Sequence, residues 1–286
     1  MAATTDRARD GAPRLVVNAD DLGFAAGVNR GIFECAAAGT VTSASVMVNT
    51  PGFDDAMAGR GSVRLGLGLH LNLIDGRPLS RAPSLVDPAT GAFWPFATLL
   101  VRATAGLLAR ADVVAEVGAQ LRRLTAAGVI PTHIDSHRHT HVHPAIWPAV
   151  ADAARASGVS VVRIPRESLV TNAARPRATL SKVLLGVAMS GGASHSSARR
   201  AGFRTADHFI GISPQGSPSF EADVVAMLAS LPRGLTEFMV HPGYVDETLR
   251  ARDGYLAERE AEVRALTSPA VRAAMRAVAL VNFGEA

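Results

Sequence analysis

Short runs of β-branched and aliphatic residues alternate along the chain with stretches whose apolar positions recur at helical spacing. That alternation marks βαβ units and a parallel sheet, because a crossover helix returns the chain to pair in the same direction. The pattern predicts strands over Arg14–Asn18, Val41–Val48, Leu65–Leu71, Pro131–Asp135, Val159–Ile164, Thr236–Val240 and Val278–Phe283. Between them, Val113, Val114, Val117, Leu121 and Leu124 define an amphipathic helix that Gly128 should cap. A further helix should begin at Pro144, since proline suits a first turn.

Two segments break the alternation. Residues 75–95 are rich in Pro, Gly and Asp and read as a long loop over one end of the sheet. Residues 168–206 combine the apolar run Leu184–Met189 with a Gly and Ser patch and the basic pair Arg199 and Arg200. Insertions of this length in such folds serve as lids or substrate-binding loops.

At 286 residues, the chain has a length that one (β/α) barrel accommodates. The expected organisation is an α/β fold with a loose tail over residues 1–13 and a single barrel domain over 14–286. Hydrophobic residues make up 48% and aromatics only 5%, so the core should be mainly aliphatic. The net charge is +4 and the basic residues form no stripe, which argues against a nucleic-acid partner. Cys35 is the single cysteine, so no intrachain disulfide can form, and its helical context makes it a packing residue. Residues 1–13 lack the apolar core of a signal peptide, and the apolar stretch Val183–Met189 is far short of the about 20 residues that span a bilayer. A cytoplasmic protein is expected, with room for peripheral membrane contact.

The polar residues that interrupt the strands carry the chemistry. The first strand runs into Asp20 and Asp21, the third into His70, and the fourth carries His133, Asp135 and His137. A later strand ends at His241, and Arg163 and Arg166 flank Ile164-Pro165. In a parallel barrel these strand ends share the face that holds the active site. Asp-Asp before Gly is commonly only a turn, but two adjacent carboxylates can also divide ion binding and proton transfer between them. His70 interrupts an apolar strand beside Gly66 and Gly68, which remove bulk from a crowded place.

The tract from Thr132 to His143 holds five of the nine histidines. Strand alternation should turn His133, Asp135 and His137 to one side. Neutral imidazoles are common ligands of transition ions, and a carboxylate such as Asp135 can fix a ring's tautomer from behind. Only some of the five can be ligands, because a catalytic ion keeps positions open for water and substrate. His241, outside the tract, could give a proton near neutral pH, whereas Arg163 and Arg166 could orient a catalytic carboxylate or a substrate oxygen.

The runs LVVNADDLGFAAGVNRGI, VTSASVMVN, GLGLHLN, PTHIDSHRHTHVHP and MVHPG, in that order, resemble the YdjC-like carbohydrate deacetylases, which include chitooligosaccharide and hopanoid-biosynthesis-associated deacetylases. The resemblance extends from about Leu15 to about Gly243 and implies an irregular, TIM-like (β/α) barrel that removes the acetyl group from N-acetylated amino sugars. It implies Asp21, His70 and His137 as metal ligands, Asp20 as general base and His241 as general acid. His133, Asp135, His141, Arg163 and Arg166 are then supporting or substrate-binding residues. The family commonly reads Asp-Asp-Phe-Gly; here Leu22 takes the aromatic place and Phe24 follows, a swap expected to alter packing more than chemistry. The implied ion is magnesium or zinc, the implied substrate a chitooligosaccharide or an N-acetylglucosaminyl lipid, and the implied assembly a homodimer. Two other readings remain at this point: a metal-dependent phosphoesterase or other amidohydrolase, and a catalytically silent sugar-binding protein.

Overall fold

The computed structural model describes residues 13–167 and 192–286. The apolar run Val183–Met189 and residues 1–12 of the expected tail lie outside them, while Pro13, expected in the tail, opens the first strand. Strands β1 (Pro13–Leu22), β2 (Ser43–Val46), β3 (Gly66–Leu71), β4 (Ile134–Ser136), β5 (His208–Ile210), β6 (Gly234–Val240) and β7 (Ala279–Leu280) form one sheet. Every pairing is parallel, in the order β4-β3-β2-β1-β6-β5, with β7 paired to Arg14 and Leu15 of β1. The sheet curls, so the barrel expectation holds in its coarser form of a parallel, barrel-like α/β fold. A regular TIM barrel is not what the ladders trace. The edge strands β4 and β5 are linked through residues 161–167 only by isolated bridges, Ile134 with Val162 and Glu167 with Phe209.

The strand expected over Val159–Ile164 is reduced to isolated bridges, of Val161 with Arg204 and of Val162 with Ile134. Pro165 has no N–H to donate, which interrupts any ladder there. β5 was not legible in the pattern because three residues are too few to show alternation.

The helices are α1 (Ala26–Ala37), α2 (Phe53–Gly59), α3 (Phe96–Thr104), α4 (Arg110–Ala126), α5 (Trp147–Ala156), α6 (His195–Arg200), α7 (Phe220–Ala229), α8 (Glu247–Arg250), α9 (Ala257–Thr267) and α10 (Pro269–Met275). α4 ends as expected, with Gly128 at φ +81°. Val113, Val117, Leu121 and Leu124 are fully buried on it, each contributing roughly 1.5–3 kcal/mol by leaving water. Its buried face also carries Glu116 and Gln120, which the apolar pattern alone conceals. Glu116 accepts from Leu79 N, Ser80 N and Ser80 Oγ, and Gln120 donates to Asn72 O at 2.7 Å, so α4 fastens the start of the 75–95 loop. The helix expected from Pro144 starts instead at Trp147, with Pro148 in its first turn, because the histidine tract first makes a tight turn over His137–Val142. No helix among the described residues is long and apolar enough to cross a membrane.

Strand alternation divides the interior. Leu15, Val17 and Ala19 of β1 join the main apolar core, while Val16 packs with Val161, Ala206, Leu235 and Phe283 in a separate cluster. Asn18 and Asp20 follow Val16 on the same face at intervals of two. One end of the curled sheet is thus plugged by apolar side chains, and the other, where the strands end, is polar.

Candidate metal centre

Consecutive residues of a regular strand point to opposite faces, so Asp20 and Asp21 should part. An irregularity in β1 brings them together. The β1–β2 register pairs Ala19 with Ala44 but Leu22 with Val46, which places an extra residue in β1, and Asp21 has φ +69°. A bulge of this kind re-aims side chains, and Asp tolerates the left-handed region better than most residues. Gly23 N donates to Asn29 Oδ1 at 2.7 Å and Thr50 Oγ1 donates to Gly23 O at 2.7 Å, pinning the bend. Both carboxylates line one cavity of about 310 Å³ with His70, His137, His241 and Arg259.

Asp21 Oδ1 stands 2.9 Å from His137 Nδ1 and 3.3 Å from His70 Nε2. These three ligand atoms lie within 4.8 Å of one another. His70 turns its other nitrogen, Nδ1, to Asp135 Oδ1 at 2.7 Å, so Asp135 selects the tautomer that leaves Nε2 facing the cavity. β3 and β4 enforce this pairing, since His70 and Asp135 are register partners. His137 lies just beyond β4 and reaches the site through the turn in which Arg138 and His139 adopt φ +52° and +57°. Phe24 packs on the His137 ring at 5.8 Å between centroids, which gives the aromatic residue after the Asp-Asp motif a packing role.

The electrostatics fit a divalent ion held by Asp21, His70 and His137. Among the described residues, Asp20, Asp21, Asp135 and Asp253 pair with two guanidiniums, Arg163 and Arg259. Burial opposes charge on His70, yet Asp135 and Asp20 outweigh it and raise its pKa to about 10. Burial also opposes charge on Asp21, but His137 and Arg259 hold its carboxyl well below the usual range. One carboxylate oxygen and two ring nitrogens converge from β1, β3 and the turn after β4, a donor set that suits zinc and tolerates other divalent ions.

Asp20 is gripped from the opposite side. Arg163 Nη1 donates to its Oδ2 at 2.6 Å and Nη2 to its Oδ1 at 2.7 Å, while Arg163 Nε donates to Glu237 Oε1 at 2.6 Å. Arg163 is 1% exposed, so its charge is balanced by these buried carboxyl groups and not by bulk water. His241 Nε2 stands 3.9 Å from Asp20 Oδ2, and its backbone N–H donates to Glu262 Oε2 at 2.5 Å. Burial lowers the His241 pKa to about 4 against the pull of Asp20 and Asp21. Its Nδ1 is buried and has no hydrogen-bond partner among the described residues.

Other expected residues lie behind or outside the cavity. His133 Nε2 meets Ser45 Oγ at 2.9 Å, and that hydroxyl donates to Asp135 Oδ2 at 2.7 Å, so His133 and Asp135 do share a side as alternation requires. His141 is fully buried between Ser136 Oγ and the Arg163 carbonyl oxygen. Burial lowers the pKa of both rings to about 4. Arg166 is exposed and does not line the cavity.

Sequence reasoning missed Arg259, Asp253 and Tyr255. Arg259 Nη2 donates to Asp21 Oδ2 at 2.6 Å and to Asp253 Oδ2 at 2.7 Å. Tyr255 donates to Glu262 Oε1 at 2.7 Å and packs edge-on to His241 at 5.8 Å. These residues follow the His241 strand in a polar segment with no periodic interruption to single them out.

Comparison with known proteins shows which proteins the chain is similar to. The family model described as YdjC-like protein matches residues 14–277. A carbohydrate deacetylase of Geobacillus stearothermophilus is 34% identical over 280 residues, covering 94% of this chain and 96% of that protein. A chitooligosaccharide deacetylase of Klebsiella pneumoniae (strain 342) is 34% identical over 266 residues, with 91% and 93% covered. Among solved structures, an Enterococcus faecalis V583 protein provisionally assigned to cellobiose-phosphate cleavage superposes with a TM-score of 0.75 at 25% identity, covering 95% of this chain and 98% of that one.

Proposed function

The chain belongs to the YdjC-like family, and from that premise we propose that it is a metal-dependent carbohydrate deacetylase that hydrolyses the N-acetyl amide of an amino sugar and releases acetate. The observation that carries this reading is the convergence of Asp21 Oδ1, His70 Nε2 and His137 Nδ1 beside a separately held carboxylate, Asp20. Relatives named carbohydrate and chitooligosaccharide deacetylases support the substrate class.

Asp21, His70 and His137 hold the ion, which when bound supplies Lewis-acid polarisation and makes water a better nucleophile near neutral pH. Asp20 accepts the proton of the attacking water. Arg163 keeps Asp20 aimed by gripping both of its oxygens. The proton then has a short path, since His241 Nε2 lies 3.9 Å from Asp20 Oδ2. A neutral His241 takes it and delivers it to the departing nitrogen as the C–N bond breaks, leaving a free amine and acetate. The low His241 pKa suits the second half of this relay, because a weakly basic ring surrenders its proton readily.

The occupant is zinc or magnesium, and the substrate is a chitooligosaccharide or an N-acetylglucosaminyl lipid. Acetate release from diacetylchitobiose and from N-acetylglucosaminyl lipids, with and without chelator, tests the reading. Chelator-sensitive release from either supports it, whereas no release from either under any divalent ion rejects it.

A further inference from the structure

Arg259 carries five N–H donors on a side chain only 1% exposed. Nη2 serves Asp21 Oδ2 and Asp253 Oδ2, and Nε donates to Tyr255 O at 3.0 Å. Nη1 is buried and, among the described residues, has no hydrogen-bond partner. Its two hydrogens are therefore unspent in a residue that lines the cavity. A buried donor left without an acceptor costs about 1–3 kcal/mol, so whatever occupies the cavity should supply an oxygen there.

Among the described residues, three that line the cavity carry buried, unpartnered nitrogens: His139, His241 and Arg259. Only Arg259 offers a permanent positive charge with two hydrogens on one atom. The same guanidinium holds Asp21, so its free nitrogen is covalently tied to the side of the cavity that carries the candidate ion ligands. We propose that Arg259 is the acyl-side anchor of this site: Nη2 restrains Asp21 so that only Oδ1 faces the histidines, and Nη1 binds an oxygen of the acetyl group, which after cleavage is a carboxylate oxygen of acetate. The identity of the acyl ligand rests on the deacetylase reading; the small-carboxylate site itself does not.

Fluoroacetate is the probe, followed by 19F line broadening on the zinc-loaded full chain, with neutral fluoroacetamide as the control. Arg259→Gln should weaken fluoroacetate binding by about tenfold or more, as expected for loss of a charge-assisted hydrogen bond, and leave fluoroacetamide within about twofold. Arg259→Lys covers the case in which the glutamine variant fails to fold. Its single nitrogen can satisfy Asp21 and Asp253 and so retain zinc, but it lacks the second amino group and should show the same selective loss. Wild-type affinity for fluoroacetate in a zinc-retaining Arg259→Lys overturns the proposal, as does an equal loss for both probes. Neither result depends on sugar turnover. Absence of acetate release from acetylated sugars would reject the deacetylase reading while leaving a measured carboxylate site in place.

Discussion

Arg163 holds Asp20 with both terminal nitrogens, 2.6 Å from Oδ2 and 2.7 Å from Oδ1, and the same guanidinium reaches Asp135 Oδ2 at 2.8 Å. One buried cation thus ties the proton-accepting carboxylate to the carboxylate that sets the tautomer of a metal ligand. A change at either is felt by the other.

Arg163→Met should therefore destabilise the protein by about 3–5 kcal/mol, since it leaves three buried carboxyl groups without their partner. Arg163→Lys should recover only part of this loss, because one ammonium cannot reproduce a two-nitrogen grip. Urea unfolding of the three proteins checks the order. Equal midpoints for wild type and Arg163→Lys would show that the paired geometry contributes nothing.

Removing a ligand should be separable from removing the base. Asp21→Asn, His70→Ala and His137→Ala should each lose bound metal together with activity, whereas Asp20→Asn should lose activity and keep the metal. Metal content after equilibrium dialysis distinguishes the two groups. Full occupancy in all three ligand variants would remove the assignment.

Gly68 has a role in packing. A Cβ built there falls 2.4 Å from the His133 ring, which packs at a tilt against Phe283 at 4.4 Å between centroids. Gly68→Ala should cost about 1–3 kcal/mol, as overpacking does. It should also displace His133 from Ser45, a shift visible in the imidazole NMR signals. An unchanged melting temperature with unchanged His133 resonances contradicts this.

His141 gives a pH dependence of definite sign. Its folded pKa is lowered to about 4, first by burial, below the ordinary 6.5. Between those values the unfolded chain binds a proton that the folded chain refuses, so stability is lost as pH falls from 6.5 toward 4. The slope for one such group is about 1.4 kcal/mol per pH unit. His141→Gln should flatten the decline in that window relative to wild type. Parallel stability curves for the two proteins from pH 7 to pH 4 would show that His141 does not contribute.

Much of the framework was legible in the sequence. β1, β2, β3 and β6 are written as apolar runs long enough to exceed noise, and the ends of β1, β3 and β6 carry Asp20, His70 and His241 as polar interruptions. β5 is too short to register, and the run Val159–Ile164, which looks like a strand, makes only isolated bridges before Pro165. Alternation correctly aligned His133 with Asp135, but His137 enters by a turn with left-handed residues that no periodicity announces. Arg259 lies in a charged helix, where one more arginine carries no signal; only the fold brings it 2.6 Å from Asp21.

The extra residue in β1 has a bearing on transplantation. Two adjacent aspartates grafted onto the end of another parallel strand would bring one carboxylate inside and leave its neighbour outside. A donor motif for redesign must therefore carry the defect along with the acids, from Ala19 through Gly23, with the Asn29 and Thr50 contacts that hold it. Deleting a single residue within that stretch should restore a regular ladder and separate the two carboxylates, abolishing the site while the strand itself improves.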